Sequence, residues 1–479
     1  MAAIDLRLPP LGVLVAGVWE EGAASFAASD KYTYAELAQI AEPSREQVER
    51  AVAIADAACR RGAPAPIERA AILNRAADLL RDRRDWFSDL IVADTGFTLT
   101  DARTEVDRSI VTLRLCAEEA TRLVGEMVPF GATAGQHDRI GFTLRVPVGV
   151  VCAITPFNSP LNTVLHKVGP ALAAGNAVVL KPSGAAPLTA ALLCQTLLDA
   201  GLPPDLLSLL QGLEARVGML LLENQTIAFY SFTGSTRVGR IIQQAAGLRR
   251  VQLELGSIAS TIICADADLD RALPRIANAT FRKAGQVCTS VQRLYVERSA
   301  MDEVLDRLVA EAGKMPAGDP RDPATRIGPM ISEAAAARAE SWIEEARLGQ
   351  ARVVIGGTRE RALMQPTILT GAQDGMKVLD QEIFAPCVSL LPFDDLSSAL
   401  EHANNTPFGL AAGIFTQHVN RGMQAARRLR FGSVHINETS SSRGDAMPFG
   451  GVKDSGFGHE GPRYAIREVT EERLITLNF

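Results

Sequence analysis

No sign of charge dominates this chain. Lysine and arginine number 49 against 55 aspartates and glutamates, a net charge of -6 without blocks of one sign. That argues against nucleic-acid binding, which draws its affinity from a concentrated positive face over phosphates. Long apolar runs are missing as well. The longest uncharged stretch, 146–166, holds Pro147, Pro156, Pro160, Asn158, Asn162 and His166, residues that break a helix or need water, so no membrane span is expected. Cysteines are few, with seven at Cys59, Cys116, Cys152, Cys194, Cys264, Cys288 and Cys387. Their odd number, wide scatter and lack of any Cys-x-x-Cys pair exclude a disulfide framework and a structural zinc site. The six histidines do not cluster, so no metal is expected as the catalytic agent. The opening MAAIDLRLPP lacks the basic segment, apolar run and cleavage site of a secretory signal, which makes the cytoplasm the expected location. Neither a repeat of fixed period nor a low-complexity segment is present, which removes solenoids and propellers.

What is present is a 479-residue chain, 47% hydrophobic, long enough for two or three domains with sizeable cores. Ser44-Arg45-Glu46-Gln47 has the form of a capping box, and Val48, Val52, Ala55 and Cys59 recur at helical spacing, so a surface helix is expected over 45–61. From Val148 onward, β-rich runs (148–154, 177–180, 206–210, 226–232, 251–255) alternate with helical ones (161–173, 187–200, 214–223, 235–246). Such alternation means parallel strands joined by crossover helices, with ligands bound beyond the strands' carboxyl ends. A second helix-and-strand series over 260–430 predicts a second α/β domain. The stretches 141–146 and 473–479 read as strands outside both cores and are candidates for pairing between subunits.

Five places could carry chemistry. Cys288 in FRKAGQVCTS follows a glycine that permits a tight turn, although a lone cysteine is most often a buried small hydrophobe. Glu254 closes the apolar run VQLE, where a carboxylate must be paired, exposed or functional. Asn158 in TPFNSP could donate to an oxyanion or cap the next helix. Lys181 ends another strand in VVLKPSG, where a solvated lysine is the ordinary reading. In SFTGSTRVG, Gly234 and Ser235 could present backbone amides to an anion at a helix start. No Gly-x-Gly-x-x-Gly fingerprint accompanies these strands.

Taken together, TPFNSP, LKPSG, FTGSTRVG, LELGS, GQVCTS, QEIFAP, GSVHIN and PFGGVKDSGFGHEG stand in the order and spacing of the aldehyde dehydrogenase superfamily, which the chain resembles from about residue 10 to its C-terminus. The resemblance implies an α/β architecture in three parts. These are a Rossmann-like cofactor domain (1–125 and 146–255), an α/β catalytic domain (256–465) and a small β bridging or oligomerisation segment (126–145 and 466–479). It further implies NAD or NADP as cofactor, a small-molecule aldehyde as substrate, and self-association as a dimer or tetramer.

Carried over by motif, Cys288 matches the nucleophile, Glu254 the general base, Asn158 the oxyanion donor, and Lys167 with Glu460 a proton-passing pair. Lys181 matches the adenosine-ribose lysine, with Ser183 and Gly184 after it, and Gly234 with Ser235 the pyrophosphate turn. Thr155, Pro156, Phe157 and Leu255 are expected beside the cofactor, together with Glu382 for the nicotinamide ribose and Phe384 for the ring. Asn162, Thr289, Arg443 and Phe449 are expected to meet the substrate. The implied reaction is attack of a thiolate on the aldehyde, loss of hydride to the nicotinamide, and cleavage of the resulting thioester by water activated at Glu254. A family branch that passes the acyl group to coenzyme A lacks this acid, so a free carboxylic acid is the expected product. Thiol, acid and asparagine together argue against a silent binding or structural paralogue.

Three departures from the family stand out. Ser257-Ile258-Ala259 follows LELG where Gly-Gly-Lys or similar is common, Gly184 stands where a glutamate often discriminates against NADP, and Ala385 replaces a glycine in QEIFAP. With Gly184 there, both NAD and NADP should be usable. The loop NETSSSRGDAMPF (437–449) resembles that of a branch acting on lactaldehyde, phosphonoacetaldehyde or succinic semialdehyde, with Ala446 in place of that branch's histidine. Arg443 either anchors a substrate anion or pairs with Asp445; in the second case the pocket would suit an uncharged, even aromatic, aldehyde.

Overall fold

The computed structural model describes residues 6–213 and 215–479. The first helix spans Arg45–Arg61 and is capped as its sequence requires: the Ser44 hydroxyl accepts from the Gln47 amide at 3.1 Å, and the Gln47 side chain accepts from the Ser44 amide at 2.9 Å. Its buried face is Val48, Ala51, Val52, Ala55 and Ala58. Cys59 is only half-buried, one position off that face.

Five parallel strands form the centre of an eight-stranded sheet, in the spatial order Leu207–Leu209, Ala177–Lys181, Val150–Ile154, Ile227–Thr233 and Arg250–Glu254. The Ala177–Lys181 strand is buried at every position, which is why it reads as an apolar run without alternation. Helices Asn162–Ala174, Pro187–Asp199, Ala215–Glu223 and Thr236–Ala246 make the crossovers. Strand order reverses between Val150–Ile154 and Ile227–Thr233, the crevice at which doubly wound sheets bind ligands. At the far edge, Gly456–Phe457 returns from late in the chain to pair antiparallel with Arg250–Glu254.

The second sheet has seven strands in the order Arg352–Ile355, Thr367–Thr370, Cys387–Phe393, Val291–Glu297, Ala259–Ile263, Ala411–Phe415 and Ser433–Ile436. All neighbours are parallel except the first pair. The two outlying strands span Arg139–Pro147 and Thr470–Asn478, and within the chain they pair with each other, antiparallel, from Pro147–Thr470 to Arg139–Asn478, with Met127–Val128 on the open side. Among the described residues, no helix is long and apolar enough to cross a membrane, and no group of histidine, cysteine, aspartate or glutamate side chains could hold a metal ion.

Candidate active site

Three strand ends of the first sheet converge on one cavity. Strand Val150–Ile154 runs into Pro156, Phe157 and Asn158; Ile227–Thr233 runs into Gly234 and Ser235; Arg250–Glu254 ends on Glu254 itself. The loop before strand Val291–Glu297 brings Cys288 from the second sheet. The cavity measures about 800 Å³, and Glu382, Phe384, Arg443 and Phe449 complete this part of its wall.

The Cys288 loop is tightly bent. Lys283 and Ala284 both adopt left-handed backbone, at φ 53° and 52°, and Gly285 follows at φ 67°. Only glycine fits there, because a Cβ on Gly285 would lie 2.0 Å from the Ala385 carbonyl oxygen. Cys288 is half-buried, and Glu254, which is almost fully buried, faces its thiol within hydrogen-bond reach. No salt bridge holds Glu254 among the described residues, and its Oε1 has no partner. Burial pushes its carboxyl up to about 7, with the Glu460 charge adding to the rise and Arg443, the thiol and Lys167 opposing it. Burial and the facing carboxylate hold the thiol of Cys288 well above its ordinary value. Glu254 is thus poised to accept a proton near neutrality.

Asn158 does not cap the helix after it. Glu105, from helix Leu99–Ala120, accepts the amides of Leu161 (3.0 Å) and Asn162 (3.3 Å) instead. The Asn158 side chain is left to point at the Cys288 loop, where its amide donates to the Gln286 carbonyl at 2.8 Å.

Behind the cavity, Lys167 and Glu460 form a fully buried pair at 2.7 Å, and Thr233 adds a hydroxyl to the same carboxylate oxygen at 3.2 Å. Arg443 takes the other oxygen of Glu460 at 2.6 Å and lies over the Phe449 ring at 3.9 Å. The pairing of Arg443 with Asp445 is therefore corrected: Asp445 is held by Arg108 at 2.7 Å, Asn162 at 2.9 Å and His166 at 3.1 Å. With its Oδ1 bonded to Thr112 at 2.8 Å, the Asn162 amide is committed at both ends and cannot bind substrate without breaking this network. Thr289 lines the cavity with its hydroxyl 3.3 Å from that of Ser441.

On the cofactor side, the residues present suit a dinucleotide. Glu382 accepts the Ser257 amide at 2.9 Å, and burial pushes its carboxyl up to about 7. This contact also gives the Ser257-Ile258 departure a partial account, since the backbone of Ser257 holds the acid while Ile258 is fully buried. Phe384, at φ 53°, presents its ring edge-on to Phe157 at 6.0 Å, and Ala385 lies outside the left-handed region, so the loss of glycine there is tolerated. Ser235 caps helix Thr236–Ala246 through its hydroxyl. Gly234 is corrected as an anion donor, because its amide already donates to the Glu254 carbonyl at 3.0 Å. Leu255 lines the cavity, whereas Thr155, Lys181, Ser183 and Gly184 lie beyond it on the adjoining strand ends. There the Thr155 amide donates to the Lys181 carbonyl at 3.2 Å, Lys181 is buried rather than solvated, and the Thr155 hydroxyl is buried without a partner.

Sequence reasoning missed Arg282, six positions before Cys288, although its segment was in view. It lines the same cavity, donates to the Ser441 hydroxyl at 2.8 Å, and has no carboxylate within ion-pair distance among the described residues. Two adjacent cations, Arg282-Lys283, just ahead of Cys288 were the available signal.

A thiol faced by a buried acid, with an asparagine amide beside it and a doubly wound sheet edge in front, suits an enzyme that acts on a carbonyl next to a bound nucleotide. The chain belongs to the aldehyde dehydrogenase family, whose model it matches over residues 19–475. It is 44% identical over 467 residues to a 3-sulfolactaldehyde dehydrogenase of Priestia megaterium, covering 98% of each chain. It superposes with TM-score 0.96 and 32% identity, over 99% of each chain, on aldehyde dehydrogenase 21 of Physcomitrella patens in complex with the reaction product succinate. An NADP-dependent enzyme of E. coli matches with TM-score 0.95 and 32% identity over 99% of this chain and 100% of its own. The protein is thus an aldehyde dehydrogenase that oxidises an aldehyde to the acid with a nicotinamide cofactor.

Proposed function

We propose that the substrate is a small aldehyde with an anionic far end, of the sulfonated or carboxylated hydroxyaldehyde kind, and that Arg282 holds that end. The observation carrying this reading is the unmatched charge. Other cations at the cavity are engaged: Arg108 with Asp445, Lys283 with Glu105, Arg443 with Glu460 and Arg275 with Glu438, while Arg338, which also lacks a carboxylate, donates to the Ile383 carbonyl and lies over the Trp342 ring. Arg282 hydrogen-bonds the Ser441 hydroxyl, feels Asp101 and Glu105 only from beyond ion-pair distance and loses hydration in the pocket, so a sulfonate or carboxylate is the direct partner it lacks. The serines and arginines at this end, Arg275, Arg282, Ser441 and Ser442, suit an anion better than an aromatic ring. The Priestia relative, named for an aldehyde bearing a sulfonate, supports the same class.

In this reading Cys288 gives its proton to Glu254 and attacks the aldehyde carbon. Asn158 and the Cys288 amide hold the oxyanion, and each such donor is worth roughly 3–4 kcal/mol. A bound nicotinamide supplies the hydride acceptor, with Glu382 and Phe384 beside it and Lys181, Ser183 and Gly184 toward the adenosine. Glu254 passes the thiol proton on toward Glu460 and Lys167; so freed, it removes a proton from the water that cleaves the thioester, and that proton leaves by the same pair. NAD and NADP are both accepted, because Gly184 carries no charge. The division into cofactor, catalytic and bridging parts is retained at the boundaries above. The protein is cytoplasmic and self-associates through the Arg139–Pro147 and Thr470–Asn478 sheet, whose Ile140, Leu144, Leu474 and Leu477 are exposed; light scattering measures the assembly.

The test is nicotinamide reduction with matched anionic and neutral aldehydes. Arg282→Met is expected to lower kcat/KM for the anionic one by about 2 kcal/mol, roughly 30-fold, while the neutral one changes little. Equal losses would remove Arg282 from substrate recognition.

A further inference from the structure

Glu460 is a single carboxylate held between two cations, Lys167 at 2.7 Å and Arg443 at 2.6 Å, all buried or nearly so. One positive charge is therefore in excess behind the thiol and the base. Arg443 cannot swing away easily: its guanidinium is pinned on Glu460 and stacked on Phe449, and its Nε is buried without a hydrogen-bond partner. The charged groups facing Glu254 are Glu460, Lys167, Arg443, the Cys288 thiol and, across the cavity, Glu382. Of these, Glu460 and Glu382 disfavour an anion at Glu254, and Lys167 offsets only part of the Glu460 effect. Arg443 is what remains to favour an anion at Glu254 or at Cys288 in a site with little water to do so.

We propose that Arg443 is a positioning residue of the reaction: its locked guanidinium supplies the excess positive charge on which the anionic forms of Cys288 and Glu254 depend. The residue that resembles a substrate anchor in the sequence is instead turned inward, and the substrate's charge is left to Arg282. The proposal rests on Cys288 and Glu254 as nucleophile and base. Its direction is fixed by electrostatics. Glu254 works as a base when ionised, so turnover falls as pH drops through its pKa. Removing a nearby cation raises that pKa and moves the acid limb to higher pH.

The experiment is kcat against pH at saturating aldehyde and cofactor, so that substrate binding drops out. Arg443→Gln, which leaves Glu460 paired with Lys167, is expected to shift the acid limb up by about one pH unit and to lower kcat several-fold near pH 7. Arg443→Lys is expected to restore the limb to within a few tenths of a unit. An unmoved limb in Arg443→Gln overturns the proposal, whether or not the variant is less stable. So does a change confined to KM for anionic aldehydes, which would make Arg443 a substrate anchor. Failure of the underlying assignment is distinguishable, since Cys288→Ala would then retain turnover.

Discussion

Lys283 and Glu105 lie 178 positions apart in the chain and meet at 2.7 Å in the floor of the active site. The pair joins three parts of the site. The Lys283 ammonium also donates to the Asn158 carbonyl at 3.0 Å, and Glu105 caps the helix that follows Asn158. The asparagine amide in turn donates to Gln286, two residues before the thiol. Asn158 is thus clasped at both ends by the loop that carries Cys288, and the left-handed backbone of Lys283 is what turns that loop to do so.

Lys283→Met leaves Glu105 buried without its cation and is expected to destabilise the protein by about 3 kcal/mol, read from urea denaturation. Adding Glu105→Gln removes the stranded charge and should recover much of that stability without recovering kcat, because Asn158 remains unclasped. Recovery of both together would mean that the pair serves the fold alone.

Glu254→Gln should slow acylation, because the thiol loses its proton acceptor, and stall the thioester hydrolysis that follows still more. Mass spectrometry of Cys288 is expected to find the acyl adduct, and stopped-flow a burst of reduced nicotinamide followed by slow turnover. The same change should stabilise the fold at alkaline pH. Burial holds the Glu254 carboxyl at about 7 in the native state against an ordinary 4.5, so the ionised native form carries a penalty. That penalty is fully present above pH 7 and vanishes below about 4.5, where both states are protonated. The stability gap between variant and wild type is therefore expected to close on acidification. A gap that widens instead would place the raised carboxyl elsewhere.

Kinetics with both cofactors should give a modest ratio of efficiencies for NAD over NADP. Glu42 packs against Gly212, the neighbour of Gly184, but Arg216 pairs with it at 2.7 Å. Gly184→Glu is expected to move the ratio toward NAD by about 1–2 kcal/mol through repulsion of the 2′-phosphate. A Cβ there would sit 2.9 Å from the Gly212 carbonyl, so some loss with both cofactors is expected and cancels in the ratio. Exclusion of NADP by the wild type would remove the premise.

Much of the first sheet was legible because its central strands are buried on both faces and are short, while the crossover segments between them are longer, so that apolar content and length tell the elements apart. The five expected strands and four crossover helices stand within a few residues of their expected ends. Where Cys288, Glu254 and Asn158 fall in their motifs was likewise written in the chain, since strand ends and a glycine turn are local features.

Partner choice was not legible. The sequence offers Asp445 two positions from Arg443, yet the fold gives Arg443 to Glu460 and brings Arg108 to Asp445 from 337 positions away. Nothing local marks Arg282 as lacking a carboxylate, or Glu105 as a helix cap in place of Asn158. A charge buried in a cavity is settled by whatever opposite charge the packing of distant elements delivers, and its desolvation makes that one contact decisive. Motif spacing determined the chemistry this protein can perform; only the tertiary structure decided which cations at the cavity are paired inside the protein and which stand without a carboxylate.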